Sequence, residues 1–483
     1  MKKTTFNLLV FVLLIVGMGT QHVEAQTPTT GYKIEVKIKG LTSGTCLLAN
    51  YYGTKQYLKD SAIVTPTGMA IFKGKEALPN GIYLVVLPNH TYTEIVVSPA
   101  SQFFSIETDT LLSPYELKVK NSKENELFYE FNRFAADKGR QASDLQEKIK
   151  EETDENKKTQ MRDELRKVDA SVAERRAELA NANSNLFMGK IFKSMTEVEI
   201  PEPTINPDGS IDSNFKFNYY RDHYWDNIDL SEDGLMRTPV YQNKLEYYMT
   251  KLYIQIPDSV IKAIEAVMAK VEKGGGKEIF KYTVWWNTNH YEESKIMCMD
   301  KVLHYMISNY YCAGKAFWAD SALVNKMCDH AKKIGPTLCG NTAPDLTLID
   351  TTMNPQTLSR IDKPVTIVVF WDHQCGHCKK DIPALARMYD SLKGKGLEIY
   401  AVYTQGDYEG WKQFIKDNKL GFMNVANQYG RSDYREKYNV LTTPEIFILD
   451  NKKIIRFKKV AIDNVPGIVE YLMNEQEEAA PKK

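Results

Sequence analysis

Two cysteines three positions apart, placed just after an uninterrupted apolar run, constrain the fold of this chain more than any other feature. The run Val365–Trp371 contains only β-branched and aromatic residues, which is typical of a strand buried on both faces. Cys375 and Cys378 follow it, and Lys379–Leu392 has the composition of a helix. A thiol at a helix N-terminus meets unpaired backbone N–H groups and the positive end of the helix dipole, which lower its pKa. Because the thiolate attacks disulfides, the sequence predicts a site of thiol–disulfide exchange.

The residues around this pair indicate an α/β domain over 342–483. Strands alternate there with helices, and a hairpin follows, which is the topology of a thioredoxin-like fold. The further elements predicted are a strand at Leu397–Tyr403, helices at Tyr408–Asn418 and Ser432–Tyr438, a hairpin of Glu445–Leu449 with Lys453–Phe457, and a closing helix at Pro466–Asn474.

Several short motifs of this domain resemble a known family. Trp371, Cys375-Gly376-His377-Cys378, Pro383 and Thr443-Pro444 before a hairpin resemble the thioredoxin superfamily. The segments Ala343-Pro344-Asp345 and Cys378-Lys379-Lys380-Asp381-Ile382-Pro383 are similar to its exported TlpA/ResA-like branch. The resemblance covers about 140 residues, and the upstream regions match only as accessory parts of large exported members.

The resemblance implies roles for the matching positions. Cys375 is expected to be the nucleophile and Cys378 the resolving thiol. A cis peptide bond at Thr443-Pro444 is expected to expose backbone groups to a substrate strand, since a cis bond before proline costs little. Asp381 is expected to shuttle the proton of Cys378. Protein thiols or disulfides are the expected partners, together with a redox partner that recycles the dithiol, and no dissociable cofactor is needed.

Two departures from the family pattern and one feature of the motif bear on these roles. Gln374 replaces an aromatic residue that is common in the family, and Asp381 is one methylene shorter than the more common glutamate. His377 is either a turn residue or an imidazolium that stabilises the Cys375 thiolate. A stabilised thiolate makes the disulfide a stronger oxidant, whereas the resemblance implies a reductant, so the direction of exchange stays open.

A metal site is the alternative interpretation of the same residues. His373, Cys375, His377 and Cys378 are all residue types that bind zinc. Four ligands in one short run cannot easily meet a single ion, and no second ligand pair is evident nearby. The redox context therefore favours a dithiol, and no metal is predicted.

The N-terminus has the pattern of a secretory signal. Lys2 and Lys3 precede an apolar run, Leu8–Met18, which is too short to span a bilayer. Small residues place the predicted cleavage after Ala25, with residues 1–25 as the signal peptide. No later segment has the length and apolarity of a membrane span. We expect an exported protein, with the periplasm as its compartment, where disulfides persist.

The sequence pattern changes twice between the predicted signal peptide and the dithiol. Short alternating strands separated by turns predict a small β-sandwich-like domain over 28–115, with strands at Cys46–Tyr51 and Ala62–Thr65 among them. Residues 120–190 lack proline up to Met188 and are rich in Glu, Lys and Ala, which predicts a long helical hairpin with solvated charges. Residues 195–335 indicate a helical accessory domain, including a helix from Val260 to Val271. The fold class is therefore a multidomain chain whose C-terminal part is α/β.

Charge and the remaining cysteines add two constraints. Lys+Arg and Asp+Glu both number 62, so the balance indicates no nucleic-acid partner. Five cysteines lie outside the motif, namely Cys46, Cys298, Cys312, Cys328 and Cys339, so at least one stays unpaired within the chain. One continuous helix through Cys298 and Cys312 would forbid their pairing, and Cys328 with Cys339 is one candidate pair. The runner-up function is a non-enzymatic binding protein with a vestigial dithiol.

Overall fold

The computed structural model describes residues 30–203 and 210–479, so the predicted signal peptide lies outside the described residues. The N-terminal part is built from strands. They are Tyr32–Lys39 (β1), Thr45–Tyr52 (β2), Lys55–Ile63 (β3), Met69–Gly74 (β4), Gly81–Val86 (β5), Tyr92–Val97 (β6), Phe103–Asp109 (β7) and Lys118–Lys120 (β8).

These strands form two four-stranded sheets, in the orders β4-β1-β7-β8 and β3-β2-β5-β6. Burial alternates along β1 in the first sheet: Ile34, Val36 and Ile38 are fully buried, while the residues between them are more exposed. One face of this sheet therefore packs on the core. The strand predicted at Ala62–Thr65 has the wrong bounds, since β3 runs from Lys55 to Ile63. This strand lies at a sheet edge and is mostly polar and exposed, so its sequence carries little of the pattern used to recognise strands.

Helices follow, and the first two form the predicted hairpin, in which α1 packs against α2. Ser122 and Asp154 cap their N-termini with side-chain oxygens that accept from backbone N–H groups. The helices are Lys123–Glu151 (α1), Glu155–Ala182 (α2), Phe187–Ser194 (α3), Phe215–His223 (α4), Pro239–Lys251 (α5), Pro257–Gly274 (α6), Lys277–Glu292 (α7), Asp300–Met306 (α8) and Ser321–Ile334 (α9), and a π-helical turn, Ile307–Tyr311, continues α8.

The N-terminal sheets and these helices share one hydrophobic core. Buried residues from Tyr32 on β1 to Ile334 at the end of α9 belong to a single contiguous cluster. Val260, Ile264, Val267 and Val271, which repeat at helical spacing, are fully buried on α6. The two regions that differ in sequence character therefore pack as one body.

The C-terminal domain is a sheet with helices between its strands. Its elements are Thr347–Asp350 (β9), Pro355–Thr357 (β10), Val365–Trp371 (β11), Gly376–Leu392 (α10), Leu397–Tyr403 (β12), Tyr408–Asp417 (α11), Met423–Ala426 (β13), Tyr434–Lys437 (α12), Glu445–Leu449 (β14), Ile455–Lys458 (β15) and Val465–Ala479 (α13).

This sheet has the topology predicted from the sequence. The strand order is β10-β9-β13-β12-β11-β14-β15, in which β11, β12 and β13 are parallel and β14 runs antiparallel to β11. Every residue of β11 is buried, because core clusters lie on both faces of the sheet. The predicted thioredoxin-like fold is confirmed, and it places the loop after β11 at the edge where α10 begins.

Two disulfides involve cysteines of the helical region, and one of them links that region to the start of the C-terminal domain. Cys298 pairs with Cys339 and Cys312 with Cys328, so the candidate pairing of Cys328 with Cys339 is wrong. Cys298 lies before the start of α8 and not on one helix with Cys312, which leaves each cysteine free to meet a partner from another segment. Cys46 is a buried free thiol on β2. Across the described ranges, no helix has the length and apolarity needed to cross a bilayer.

Candidate active site

Strand β11 and helix α10 position the first thiol. Cys375 is the N-cap residue of α10 in an extended conformation, and its carbonyl accepts the first helical hydrogen bond from Lys379 at 3.0 Å. Its own N–H donates to the carbonyl of Asp372 at 3.2 Å, which closes the turn after β11. Its side chain is therefore presented in front of the unpaired N–H groups of the first helical turn.

The environment lowers the pKa of Cys375 below its ordinary value. Partial burial alone would raise the pKa, but the backbone N–H and thiol of Cys378, the side chain of Thr443 and the backbone N–H of His377 outweigh it. The neutral Cys375 thiol donates to the Thr443 carbonyl at 3.2 Å. A hydrogen bond from the Thr443 side chain stabilises the thiolate and so contributes to the lowered pKa. His377 acts here through its backbone, while its side chain is exposed.

The second thiol has the opposite environment. Cys378 is fully buried in the core beneath α10, and burial raises its pKa to about 12. The neighbouring Cys375 adds to this rise, whereas the backbone of Asp372 opposes it. Both cysteines are reduced in this structure. One thiol is thus accessible and acidic, and the other is buried and stays protonated.

The loop before β14 lies directly against the dithiol. The Thr443-Pro444 peptide bond is cis, the geometry that the family resemblance implies. Both residues line a cavity of about 890 Å³ that lies between the C-terminal domain and the helical region. The cavity therefore lies beside the dithiol, because Thr443 lines it and also contacts the Cys375 sulfur.

Two other residues singled out in the sequence also line this cavity. Asp381 is partly buried in the second turn of α10, and His377 is exposed at the cavity wall. His373 belongs elsewhere, because its ring nitrogens lie 3.0 Å from the Tyr403 hydroxyl and 3.3 Å from the Asp407 carboxylate. The structure therefore brings Asp381 and His377, but not His373, to the cleft beside Cys375.

One ionisable residue of the cleft was missed by sequence reasoning. Burial raises the pKa of Glu445 to about 7, while Lys459 and Lys458 oppose this rise and Asp300 adds to it. Glu445 follows Pro444 directly and lines the same cavity. The available signal was a charged residue at the start of the otherwise apolar strand β14.

Family profiles match three parts of the chain. The profile of the AhpC/TSA family matches residues 339–458. Two domains of unknown function match the upstream regions, DUF4369 over residues 32–128 and DUF5106 over residues 147–332. The C-terminal domain is thus a TlpA/ResA-like thioredoxin-fold domain, preceded by two accessory regions.

Individual relatives are named as redox proteins. Sporulation thiol-disulfide oxidoreductase A of Bacillus subtilis (strain 168) is 30% identical over 98 residues, which are 20% of this chain and 58% of the relative. Thiol-disulfide oxidoreductase ResA of the same organism is 28% identical over 111 residues, which are 23% of this chain and 61% of the relative. The chain thus spans about three fifths of the length of these curated relatives.

Two solved structures match parts of this chain. The structure of a domain of a possible thiol-disulfide isomerase from Cytophaga hutchinsonii is 30% identical, with 30% of this chain and 98% of that chain covered and a TM-score of 0.28. A thioredoxin-like protein from Bacteroides caccae is 15% identical, with 57% of this chain and 99% of that chain covered and a TM-score of 0.43.

Proposed function

We propose that this protein is an exported thiol–disulfide oxidoreductase that exchanges disulfides with protein substrates through Cys375 and Cys378. The observation that carries the proposal is the asymmetry of the two thiols. The pKa of the accessible Cys375 is lowered, and burial raises that of Cys378 to about 12. Disulfide exchange requires this difference, because one sulfur attacks as a thiolate and the other stays protonated until it resolves the mixed disulfide.

The proposed reaction has two steps. The Cys375 thiolate attacks a substrate disulfide, forms a mixed disulfide and releases the other substrate sulfur as a thiolate. Cys378 then loses its proton and attacks Cys375, which releases the second substrate thiol. The enzyme dithiol is oxidised to a disulfide and the substrate disulfide is reduced to two thiols, or the reverse when the enzyme acts as oxidant. In this proposal Asp381 accepts the Cys378 proton, and a separate redox partner recycles the dithiol.

The proposed export has structural support besides the N-terminal signal pattern. The Cys298–Cys339 and Cys312–Cys328 disulfides lie outside the reactive motif. Such bonds persist in oxidising compartments and are rare where glutathione and thioredoxin keep thiols reduced. A periplasmic location is therefore the proposal that fits both the sequence and the covalent structure.

Turnover of a protein disulfide tests the proposal. With dithiothreitol as recycling reductant, the wild-type protein should accelerate the reduction of insulin, and Cys375→Ser should abolish that acceleration. Cys46→Ala is the matched control, because it removes the buried free thiol on β2, far from the motif in the chain, and should leave turnover unchanged. A wild-type protein without turnover would instead support the binding-protein alternative.

A further inference from the structure

The cleft beside the dithiol has a second wall that belongs to the helical region. On the side of the C-terminal domain it is lined by His377, Asp381, the loop Leu441–Pro444 and the start of β14. On the opposite side it is lined by the wall segment, Ser294–Asp300, which connects α7 to the start of α8. A substrate that reaches Thr443 and Pro444 therefore passes between two regions of the chain.

The wall segment is attached to the C-terminal domain at three points. The Cys298–Cys339 disulfide links it covalently to the segment that enters the domain. Asp300 forms an ion pair with the buried Lys458 of β15, and Lys458 also donates to the carbonyl of Thr337 at 2.7 Å. The Cys298 sulfur lies 3.8 Å from the Arg456 carbonyl oxygen. These contacts hold the wall in a defined position, so it can contribute to recognition without being ordered at each binding event.

The cleft presents exposed apolar side chains on both sides, and its charged residues nearly balance. Ile296 and Met297 of the wall segment are 47% and 37% exposed, and Leu441 on the opposite side is 81% exposed. The charged residues include four carboxylates and three lysines, namely Glu292, Asp300, Asp381, Glu445, Lys295, Lys458 and Lys459. This lining suits an apolar side chain and provides no excess of lysines for a small anionic thiol such as glutathione.

The size of the cleft restricts what can enter. Its volume of about 890 Å³ is within the range of sites that take small molecules or short peptide segments. A folded domain of 100 residues has a radius of gyration of about 13 Å and cannot enter such a space. A flexible segment of polypeptide can enter, provided that its cysteine is not packed in a folded core.

We propose that the wall segment selects substrates whose reactive cysteine lies in a flexible polypeptide segment with apolar neighbours, and that Ile296 and Met297 contact those neighbours. This inference rests on the proposed disulfide exchange and adds the substrate class to it. Phe317 is also exposed on the helical region but does not line the cleft, so exposure alone does not single out Ile296 and Met297. Their distinguishing property is that they line the same cleft as the loop that carries Pro444.

Single-turnover reduction of three mixed disulfides by the reduced protein tests the inference. Each probe carries thionitrobenzoate as the common leaving group, on a heptapeptide with leucine on both sides of its cysteine, on the same peptide with aspartate at those positions, or on glutathione. We expect the leucine peptide to react about ten-fold faster than the other two, the discrimination that one apolar contact supplies. Ile296→Glu should bring the ratio of the two peptide rates close to one.

The controls separate this inference from the function on which it rests. Ile254→Glu adds the same charge at a site that is 74% exposed on the helical region and outside the cleft, and it should keep the wild-type ratio. Met297→Glu repeats the test if Ile296→Glu does not fold. Equal rates for the two peptides in the wild type, a preference for glutathione, or an unchanged ratio in the folded cleft variants would overturn the inference alone. Failure to release thionitrobenzoate from any probe would overturn the proposed function as well.

Discussion

Replacing His377 by proline removes one backbone donor from the Cys375 thiolate and leaves the helix intact. The His377 N–H is among the groups that lower the pKa of Cys375. Since α10 begins at Gly376, position 377 is in the first helical turn, where the N–H has no partner within the helix and proline is tolerated. The substitution therefore changes the electrostatics of the thiolate with little cost in folding.

The size of the effect follows from the loss of one hydrogen bond to a charged sulfur. Such a bond contributes about 1.5–3 kcal/mol, and the partial exposure of Cys375 favours the lower end of this range. A loss of about 1.4 kcal/mol raises the pKa of Cys375 by about one unit. Because the thiolate belongs to the reduced form, the reduction potential of the pair should become more negative by about 30 mV.

Two assays measure these shifts. Alkylation of the reduced protein across pH gives the pKa of Cys375, and equilibration with glutathione gives the potential. The equilibration is done at a pH above the Cys375 pKa, where the reduced form is a thiolate in every variant. His377→Gln is the matched variant, because it keeps the N–H and removes the imidazole. If His377→Gln shifts both quantities as much as His377→Pro, the imidazolium rather than the N–H tunes Cys375; an unchanged His377→Pro would refute both roles.

Three further predictions concern other residues of the cleft and its attachment. Asp381→Asn should slow exchange by roughly 10- to 100-fold and change its pH profile without unfolding the protein, because it removes the proposed proton acceptor. Glu445→Gln should stabilise the protein at pH 8 by up to roughly 3 kcal/mol and have no effect at pH 4. The Glu445 pKa of about 7 in the folded state exceeds the ordinary 4.5, so ionisation of Glu445 opposes folding as the pH rises between these values. Replacing both Cys298 and Cys339 by alanine should lower the free energy of unfolding by about 4 kcal/mol in urea denaturation, from the chain entropy of their 41-residue separation.

Each of these three predictions has its own contradicting result. An Asp381→Asn protein with the wild-type pH profile would leave this carboxylate as a helix charge without a proton-transfer role. A Glu445→Gln protein whose stability follows the wild type at both pH values would show that Glu445 is well solvated. Removal of the Cys312–Cys328 disulfide, with a separation of 16 residues, should cost less, about 3 kcal/mol, and a reversed order would contradict the chain-entropy argument.

The parts of the fold that sequence predicted well are those in which one physical signal dominates. The buried strand Val365–Trp371 and the strand Leu397–Tyr403 have the predicted bounds, because a run of seven residues that are β-branched, aromatic or otherwise mainly apolar has few alternatives in an α/β domain. The prediction at Ala62–Thr65 missed most of β3 because this edge strand is polar and exposed and lacks a clear alternation. Local pattern is thus most informative where both faces of a strand are buried.

Features that depend on distant segments were not accessible from sequence. The pairing of Cys298 with Cys339 depends on how the helical region packs against the C-terminal domain, which no local pattern encodes. The same packing creates the cleft and buries Lys458 against Asp300. The motif indicated the chemistry of Cys375 and Cys378, whereas the wall opposite them became visible only in three dimensions.

Trapping a mixed disulfide tests the central claim most directly. In Cys378→Ser the resolving sulfur is absent, so attack by Cys375 should leave a substrate covalently attached. Non-reducing mass spectrometry after incubation with a disulfide-bonded protein should then find the adduct on Cys375, and Cys375→Ser should form none. An adduct on Cys46 alone, or none on Cys375 in folded Cys378→Ser protein, would contradict the assignment of Cys375 as the nucleophile.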